Sequence, residues 1–209
     1  LSFTSLLGII GLGGVIINHA IILMDSLIHN LNAHPDKPLI DVVVESTGIF
    51  TSHEKSEVHI EAGAKRVVIS APEKEDHDGR PHDETVLMGV NEERLKSCTI
   101  SSNASCTTNA GSPLIAILDE KIGIEKAILN TVHAYTASQA IVDAPNKKDF
   151  REGRAGAQNI VPSSTGAAIA TTKAYPSLSG KFDGISVRVP VVAGSIVDIT
   201  FIAKRKTSA

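Results

Sequence analysis

The chain has 209 residues, 42% of them apolar and 21% charged, with a formal net charge of −3. That composition supports a buried core, excludes intrinsic disorder, and gives no basic footprint for nucleic acid as a partner. Two cysteines, Cys98 and Cys106, are too few for a disulfide framework and point to a reducing compartment. The chain opens on Leu1, and no charged side chain appears before Asp25. Asn18, His19 and four glycines interrupt this uncharged run. Buried strands are therefore expected there, not a membrane span.

A β-branched strand is expected over 41–45, feeding a turn at Ser46, Thr47 and Gly48. A helix follows over 53–62, with Gly63 placed to end it, and then a strand over 66–70 stopped by Pro72. Strand, helix, strand at this spacing predicts a βαβ unit with a parallel pair. Ligands bind such sheets at the carboxyl ends of the strands, where Ser46 to Gly48 and Ser70 lie. Residues 73–84 read as a polar loop. Its His77, Asp78, His82 and Asp83 have nothing to fix a ligand geometry, so no metal site is expected. A short helix over 92–96 and a strand over 98–101 complete this half.

The second half has strand candidates over 127–133, 184–191 and 195–203, with one long irregular stretch and one helix between them. Val187, Val189 and Val191 alternate with Ser186 and Arg188, which predicts a mainly antiparallel sheet with one packed and one exposed face. The expected fold class is α/β followed by α+β: part of a Rossmann-like parallel sheet over 1–104, then a second domain over 105–209.

Cys106 lies between the strand ending near Ser101 and a helix predicted over 107–121 by Leu114, Ile115, Leu118 and Ile122, with Gly123 as the stop. Unpaired N–H groups and the positive end of the helix dipole favour a thiolate at such a position. The same N–H groups can hold an oxyanion formed when sulfur attacks a carbonyl. His133 follows at a strand end and is a candidate acid–base partner. Residues 162–168 read as a turn opening a helix, with the hydroxyls and N–H groups of an anion cradle. Arg188, mid-strand on the face opposite the valines, suits a fixed anion, whereas Arg151 and Arg154 sit in a charged loop that reads as solvated.

These segments resemble phosphorylating glyceraldehyde-3-phosphate dehydrogenase. The resemblance rests on Glu45-Ser46-Thr47-Gly48, Ser70-Ala71-Pro72, Met88-Gly89-Val90-Asn91, the stretch from Ser102 to Asn109, Thr131 to Thr136, Gly153-Arg154, Gln158 to Pro162, Ser164 to Ala168, and Arg188-Val189-Pro190-Val191. It implies that Cys106 attacks the aldehyde to form a thiohemiacetal, and that His133 raises its reactivity and takes the hydroxyl proton as hydride leaves for NAD. Inorganic phosphate then attacks the thioester. Ser105, Thr107, Thr165 and Gly166 match the residues that hold this attacking phosphate. Thr136 and Arg188 match those that hold the phosphate of glyceraldehyde 3-phosphate, and Arg154 matches an arginine near both. Ser46, Thr47, Gly48 and Ser70 fall in cofactor-binding segments.

The resemblance further implies a cytoplasmic glycolytic enzyme, homotetrameric when complete, with no nucleic-acid or membrane partner. The cofactor is NAD, with NADP left open. The nucleotide fingerprint is expected outside this sequence, because Gly11-Leu12-Gly13-Gly14 is followed by Ile16 where G-x-G-x-x-G needs its third glycine. The last strands of the catalytic sheet are expected beyond Ala209. Ala110 stands where many members carry a second cysteine, and the 73–84 loop is longer than usual. An erythrose-4-phosphate dehydrogenase-like enzyme and an inactive fragment or binding module are the alternatives.

Overall fold

Val42–Glu45 (β1), Arg66–Ile69 (β2), Asp83–Thr85 (β3) and Ile100–Ser102 (β4) form a wholly parallel sheet in the order β1-β2-β4-β3. The computed structural model describes residues 41–73 and 83–207. The uncharged start, the glycines near Gly11, and His77, Asp78 and His82 fall outside the described residues. Helix His53–Glu61 (α1) links β1 to β2, so the expected βαβ unit is present. The hydroxyl of Ser52 accepts from the Lys55 amide at 3.4 Å at one end of α1, and Gly63 takes φ +107 just past the other. Val67, Ile69 and Ile100 form the core of this sheet, packed by Val43, Ile60 and Ala71.

β3 corrects the reading of 73–84 as loop throughout. Asp-Glu-Thr has little intrinsic strand preference. However, an edge strand needs only backbone pairing, which β4 supplies through Asp83↔Ile100 to Thr85↔Ser102. The expected helix over 92–96 is a 3₁₀ turn.

Compactness divides the chain into Leu1–Asn109 and Ala110–Ala209. In the second unit Ile124–Ala134 (β5), Val161–Ser164 (β6), Phe182–Val189 (β7) and Ser195–Ala203 (β8) form a sheet in the order β6-β7-β5-β8. β6–β7 and β5–β8 are antiparallel, whereas β5–β7 is parallel. Helix Cys106–Lys121 (α2) precedes β5 and ends at Gly123 (φ +78), whose N–H donates to Leu118 O and Asp119 O. Helix Ala167–Ala174 (α3) lies between β6 and β7.

Register sets the two faces of this sheet. Residues paired across strands share a face, so Leu129, Gly184 and Ile199 form one row and Thr131, Ser186 and Val197 the next. This face packs on Ile115 of α2, Ala168 of α3 and Leu178. Gly184 is required by the close approach of its strand, because a Cβ there would lie 3.0 Å from Leu129 O.

The expectation of one packed and one exposed face holds, and the structure decides which is which. Ser186 is buried, while Ile128, Ile185, Ile196 and Ile202 on the valine-bearing face are exposed. Alternation separates two faces, and only the position of the covering helices decides which one is inside.

Candidate active site

In the first unit the carboxyl ends of the strands carry the candidate residues. Glu45, the last residue of β1, is buried. Its Oε1 accepts from the Thr47 amide at 2.6 Å and the Thr47 hydroxyl at 2.5 Å, and its Oε2 lies 3.0 Å from His59 Nε2 on α1. Burial alone raises the Glu45 carboxyl, but the Thr47 hydroxyl, the Thr47 amide and His59 together outweigh it and hold the pKa below its ordinary value. The His59 ring also meets Phe50 edge-on, with centroids 5.0 Å apart. Ser46, Thr47 and Gly48 are thereby presented as an exposed turn, with Gly48 at φ +77. The amide of Ser70 donates to Glu45 O at 2.9 Å, so Ser70 follows β2 at the same sheet edge.

That edge also carries the turn from β4 into α2. Asn103 N donates to Ile69 O at 2.9 Å, Ser102 Oγ donates to Ala71 O at 2.7 Å, and Ala104 N donates to Ser102 Oγ at 3.0 Å. These bonds hold Ala104 at φ 55, a left-handed conformation that costs an L-residue about 1–2 kcal/mol. Ser105 then caps the helix, its Oγ accepting from the Thr108 amide at 3.1 Å. Asn109 Nδ2 donates back to Asn103 O and Ser105 O at 2.6 and 2.9 Å.

Cys106 is the first residue of α2 and is half-buried, and Thr107 beside it is buried. Cys98, by contrast, is buried, and its thiol is pushed up by that burial and then by the Glu84 carboxylate, against a smaller opposing effect of Arg66.

In the second unit the parallel pairing of β5 with β7 puts His133 and Arg188 in register. Arg188 is therefore next to last in its strand, at the end of the packed face; the expectation of a mid-strand place is corrected. Its Nη1 lies 2.7 Å from His133 Nδ1 and donates to Ala134 O at 3.2 Å. His133 Nδ1 is also 2.7 Å from Ala134 O. Thr136, just past β5, donates from its amide and its hydroxyl to Gln139 Oε1, at 2.9 and 3.2 Å.

Arg154 pairs with the Asp143 carboxylate at 3.2 Å, and Arg151 pairs with Asp149. Both arginines are exposed, but each is held by a specific acid instead of by solvent alone.

The anion cradle is shorter than 162–168 suggested, because residues 162–164 belong to β6. Pro162 is accommodated there since β6 is an edge strand. Ser163 faces inward and donates to Glu152 Oε1 at 2.5 Å. Only Thr165 and Gly166 form the turn into α3, where Thr165 Oγ1 accepts from the Ala167 amide at 3.2 Å. Val161 pairs with Arg188 and Ser164 with Ile185, so β6 leads this turn away from the His133–Arg188 row.

His59, Gln139 and Asp143 are not singled out in the sequence, and Glu45 enters there only as the first residue of the Glu45-Ser46-Thr47-Gly48 segment, without a role of its own. A Glu closing an apolar strand and a Gln three residues after Thr136 were the only available signals. Among the described residues, no group of three or more His, Cys, Asp or Glu is placed to hold a metal ion, and no helix is long and apolar enough to cross a membrane.

Comparison with known proteins adds a relationship to this geometry. A family profile described as "Glyceraldehyde 3-phosphate dehydrogenase, C-terminal domain" matches residues 105–209. Glyceraldehyde-3-phosphate dehydrogenase B of Aspergillus oryzae is 49% identical over 160 residues, which is 77% of this chain and 46% of that protein. A glyceraldehyde-3-phosphate dehydrogenase of Streptomyces coelicolor is 48% identical over 171 residues, covering 81% of this chain and 49% of its own length. The cytosolic enzyme of Leishmania mexicana is 46% identical over 188 residues, 90% of this chain and 55% of the relative. The chain thus spans about half the length of the curated relatives it matches.

Proposed function

The chain belongs to the glyceraldehyde-3-phosphate dehydrogenase family, and on that premise we propose that it carries the thiol chemistry of the oxidative phosphorylation of glyceraldehyde 3-phosphate to 1,3-bisphosphoglycerate. The observation that carries this reading is the place of Cys106, first in α2 after a turn pinned at Ala104. At a helix start the sulfur lies beside N–H groups with no helical acceptor, the setting that stabilises both a thiolate and the oxyanion formed when it adds to an aldehyde.

Cys106 forms the thiohemiacetal through a new C–S bond. His133 takes the hydroxyl proton as that carbon is oxidised to the thioester. Inorganic phosphate then attacks the thioester carbon, the C–S bond breaks, and the sulfur leaves as thiolate with the acyl phosphate as product. Thr136 and Arg188 hold the phosphate of the aldehyde substrate. Ser105, Thr107, Thr165 and Gly166 hold the attacking phosphate, and Arg154 serves either one.

The cofactor is NAD, or NADP. The exposed turn of Ser46, Thr47 and Gly48, with Ser70 beside it at the carboxyl edge of a parallel sheet, has the hydroxyl and amide donors a dinucleotide needs. When bound, the dinucleotide supplies the hydride acceptor.

Self-association into a homotetramer fits the exposed apolar face of Ile128, Ile185, Ile196 and Ile202, together with Ile141, Val142 and Phe150 on the long connection after β5. A cytoplasmic location agrees with two cysteines that form no disulfide and with a relative named as cytosolic.

The test is competitive alkylation near neutral pH. Cys106 is expected to react faster than Cys98, and Cys106→Ser is expected to abolish the fast phase. Equal rates at the two thiols would overturn the assignment.

A further inference from the structure

The turn that follows β5 closes on itself through one side chain. Thr136 O accepts from the Gln139 amide at 3.1 Å. In return, Gln139 Oε1 accepts from the Thr136 amide at 2.9 Å and the Thr136 hydroxyl at 3.2 Å. Ala137 and Ser138 at the tip are exposed, whereas Gln139 beneath them is only 4% exposed. A backbone amide can only donate, so the carboxamide atom that meets it is the oxygen, and the orientation of the side chain is set. The next residue is anchored separately. Ala140 N donates to Glu152 O at 2.8 Å, and Ala140 O accepts from the Gly156 amide at 2.7 Å. Gln139 therefore stands on a fixed base.

One atom accounts for the burial of this side chain. Among the described residues, Gln139 Nε2 is buried without a hydrogen-bond partner. A buried unpaired donor is costly, so the nitrogen end does not hold the carboxamide there. Both side-chain bonds converge on Oε1, and both come from Thr136. The two donors differ in kind. The amide belongs to the main chain and cannot turn elsewhere, whereas the hydroxyl carries one proton and rotates about its C–O bond. An ionised phosphate oxygen only accepts, so that proton cannot serve Gln139 and a phosphate together. When it turns away, Oε1 keeps the shorter bond from the Thr136 amide, and no buried acceptor is orphaned.

We infer that Gln139 is a positioning residue for the substrate phosphate: it fixes the main chain of Thr136 through the amide and yields the hydroxyl to the anion. The inference rests on the proposed role of Thr136 as a ligand of that phosphate. Binding then exchanges one hydroxyl bond for a charge-assisted one without rebuilding the turn. Because the donor is held in place before the anion arrives, no ordering of this turn has to be supplied at binding.

Amide hydrogen exchange and a titration with glycerol 3-phosphate, both read by NMR on the full chain, test the two halves. Glycerol 3-phosphate carries a phosphate ester and no carbonyl, so the Cys106 thiol has nothing to attack. Gln139→Met keeps the length of the side chain without the oxygen, Gln139→Glu keeps an acceptor, and Thr136→Val replaces only the hydroxyl by a methyl. The amide of residue 136 is expected to exchange about tenfold faster in Gln139→Met and to stay protected in the other two. The Kd for glycerol 3-phosphate is expected to rise about tenfold in Thr136→Val and about threefold in Gln139→Met. Unchanged amide signals along β5 and β7 report that the fold is kept. In the unsubstituted chain, which needs no variant, the Thr136 amide is expected to stay protected at saturation.

Equal exchange in Gln139→Met and the unsubstituted chain would overturn the hold on Thr136. Faster exchange in Gln139→Met at an unchanged Kd would overturn its link to the phosphate. Loss of Thr136 protection at saturation would overturn the yielding of the hydroxyl alone. A Thr136 signal that ignores glycerol 3-phosphate would overturn the ligand role of Thr136 and the yielding with it, while the exchange rates still decide the hold on the main chain. Neither readout involves the thiol, so failure of the proposed reaction, seen in alkylation, is distinguishable from failure here.

Discussion

Glu45 and Arg188 occupy comparable places, the last residue of β1 and the next to last of β7, yet the chain holds them by different means. The Glu45 carboxylate is 3% exposed and collects donors from Thr47 and from His59 on the helix behind it. Its partners are fixed by the βαβ unit, so the turn of Ser46 to Gly48 is set once that unit folds. Arg188 lies against the ring of His133. A buried carboxylate with its donors built in makes a rigid platform. The parallel sheet therefore presents a pre-set edge, while the mixed sheet holds Arg188 against a ring nitrogen that a neighbouring carbonyl also approaches.

The comparison breaks most visibly at Glu45. Glu45→Ala removes the acceptor for the Thr47 donors and for His59, and is expected to cost about 1–3 kcal/mol in urea unfolding. Faster amide exchange at Thr47 should accompany it. A loss too small to measure, with Thr47 still protected, would mean that the turn is held by something other than this carboxylate.

Acid offers a second, graded version of the same test. The folded pKa of Glu45 lies below its unfolded value. The folded state therefore prefers the carboxylate, and the stability this contributes is fully present above the unfolded pKa of about 4.3. It is lost as pH falls from there through the folded value. Glu45→Gln is expected to flatten that part of the stability–pH curve. An identical acid limb in the two proteins would remove Glu45 as its source.

The smallest effect belongs to the mixed-sheet unit. Arg154 and Asp143 form an ion pair whose side chains are 66% and 57% exposed. Asp143→Asn is expected to change stability by no more than about 0.5 kcal/mol in the same urea experiment. A cost comparable to that of Glu45→Ala would show that this pair is structural, and the contrast between the two units would fail there.

Local signals made much of this molecule legible. Gly63 and Gly123 end α1 and α2 because each takes a positive φ, and this shows in the sequence as glycine after an apolar-periodic run. The turn before Cys106 was readable for a similar reason: Ser105 is a short hydroxyl residue at a helix start, and its capping bond spans only three residues.

Where partners lie far apart in the chain, the pattern was silent or misleading. β3 forms through pairing with β4, which three polar residues do not announce. Pro162 to Ser164 looked like a turn, yet they complete an edge strand because β7 is there to pair with them. The alternation in β7 separated two faces without saying which is inside, and the position of α2 and α3 decided it.

By itself the sequence determined the βαβ unit, the stops of its helices and the position of a thiol at a helix start, because each depends on backbone preferences and hydrogen bonds within a few residues. Only the tertiary structure decided that His133 meets Arg188, 55 residues away, because that contact exists through the parallel register of β5 and β7. The same pairing brings Arg188 to Ala134 O. No local preference encodes these contacts; they follow from two strand ends being placed side by side.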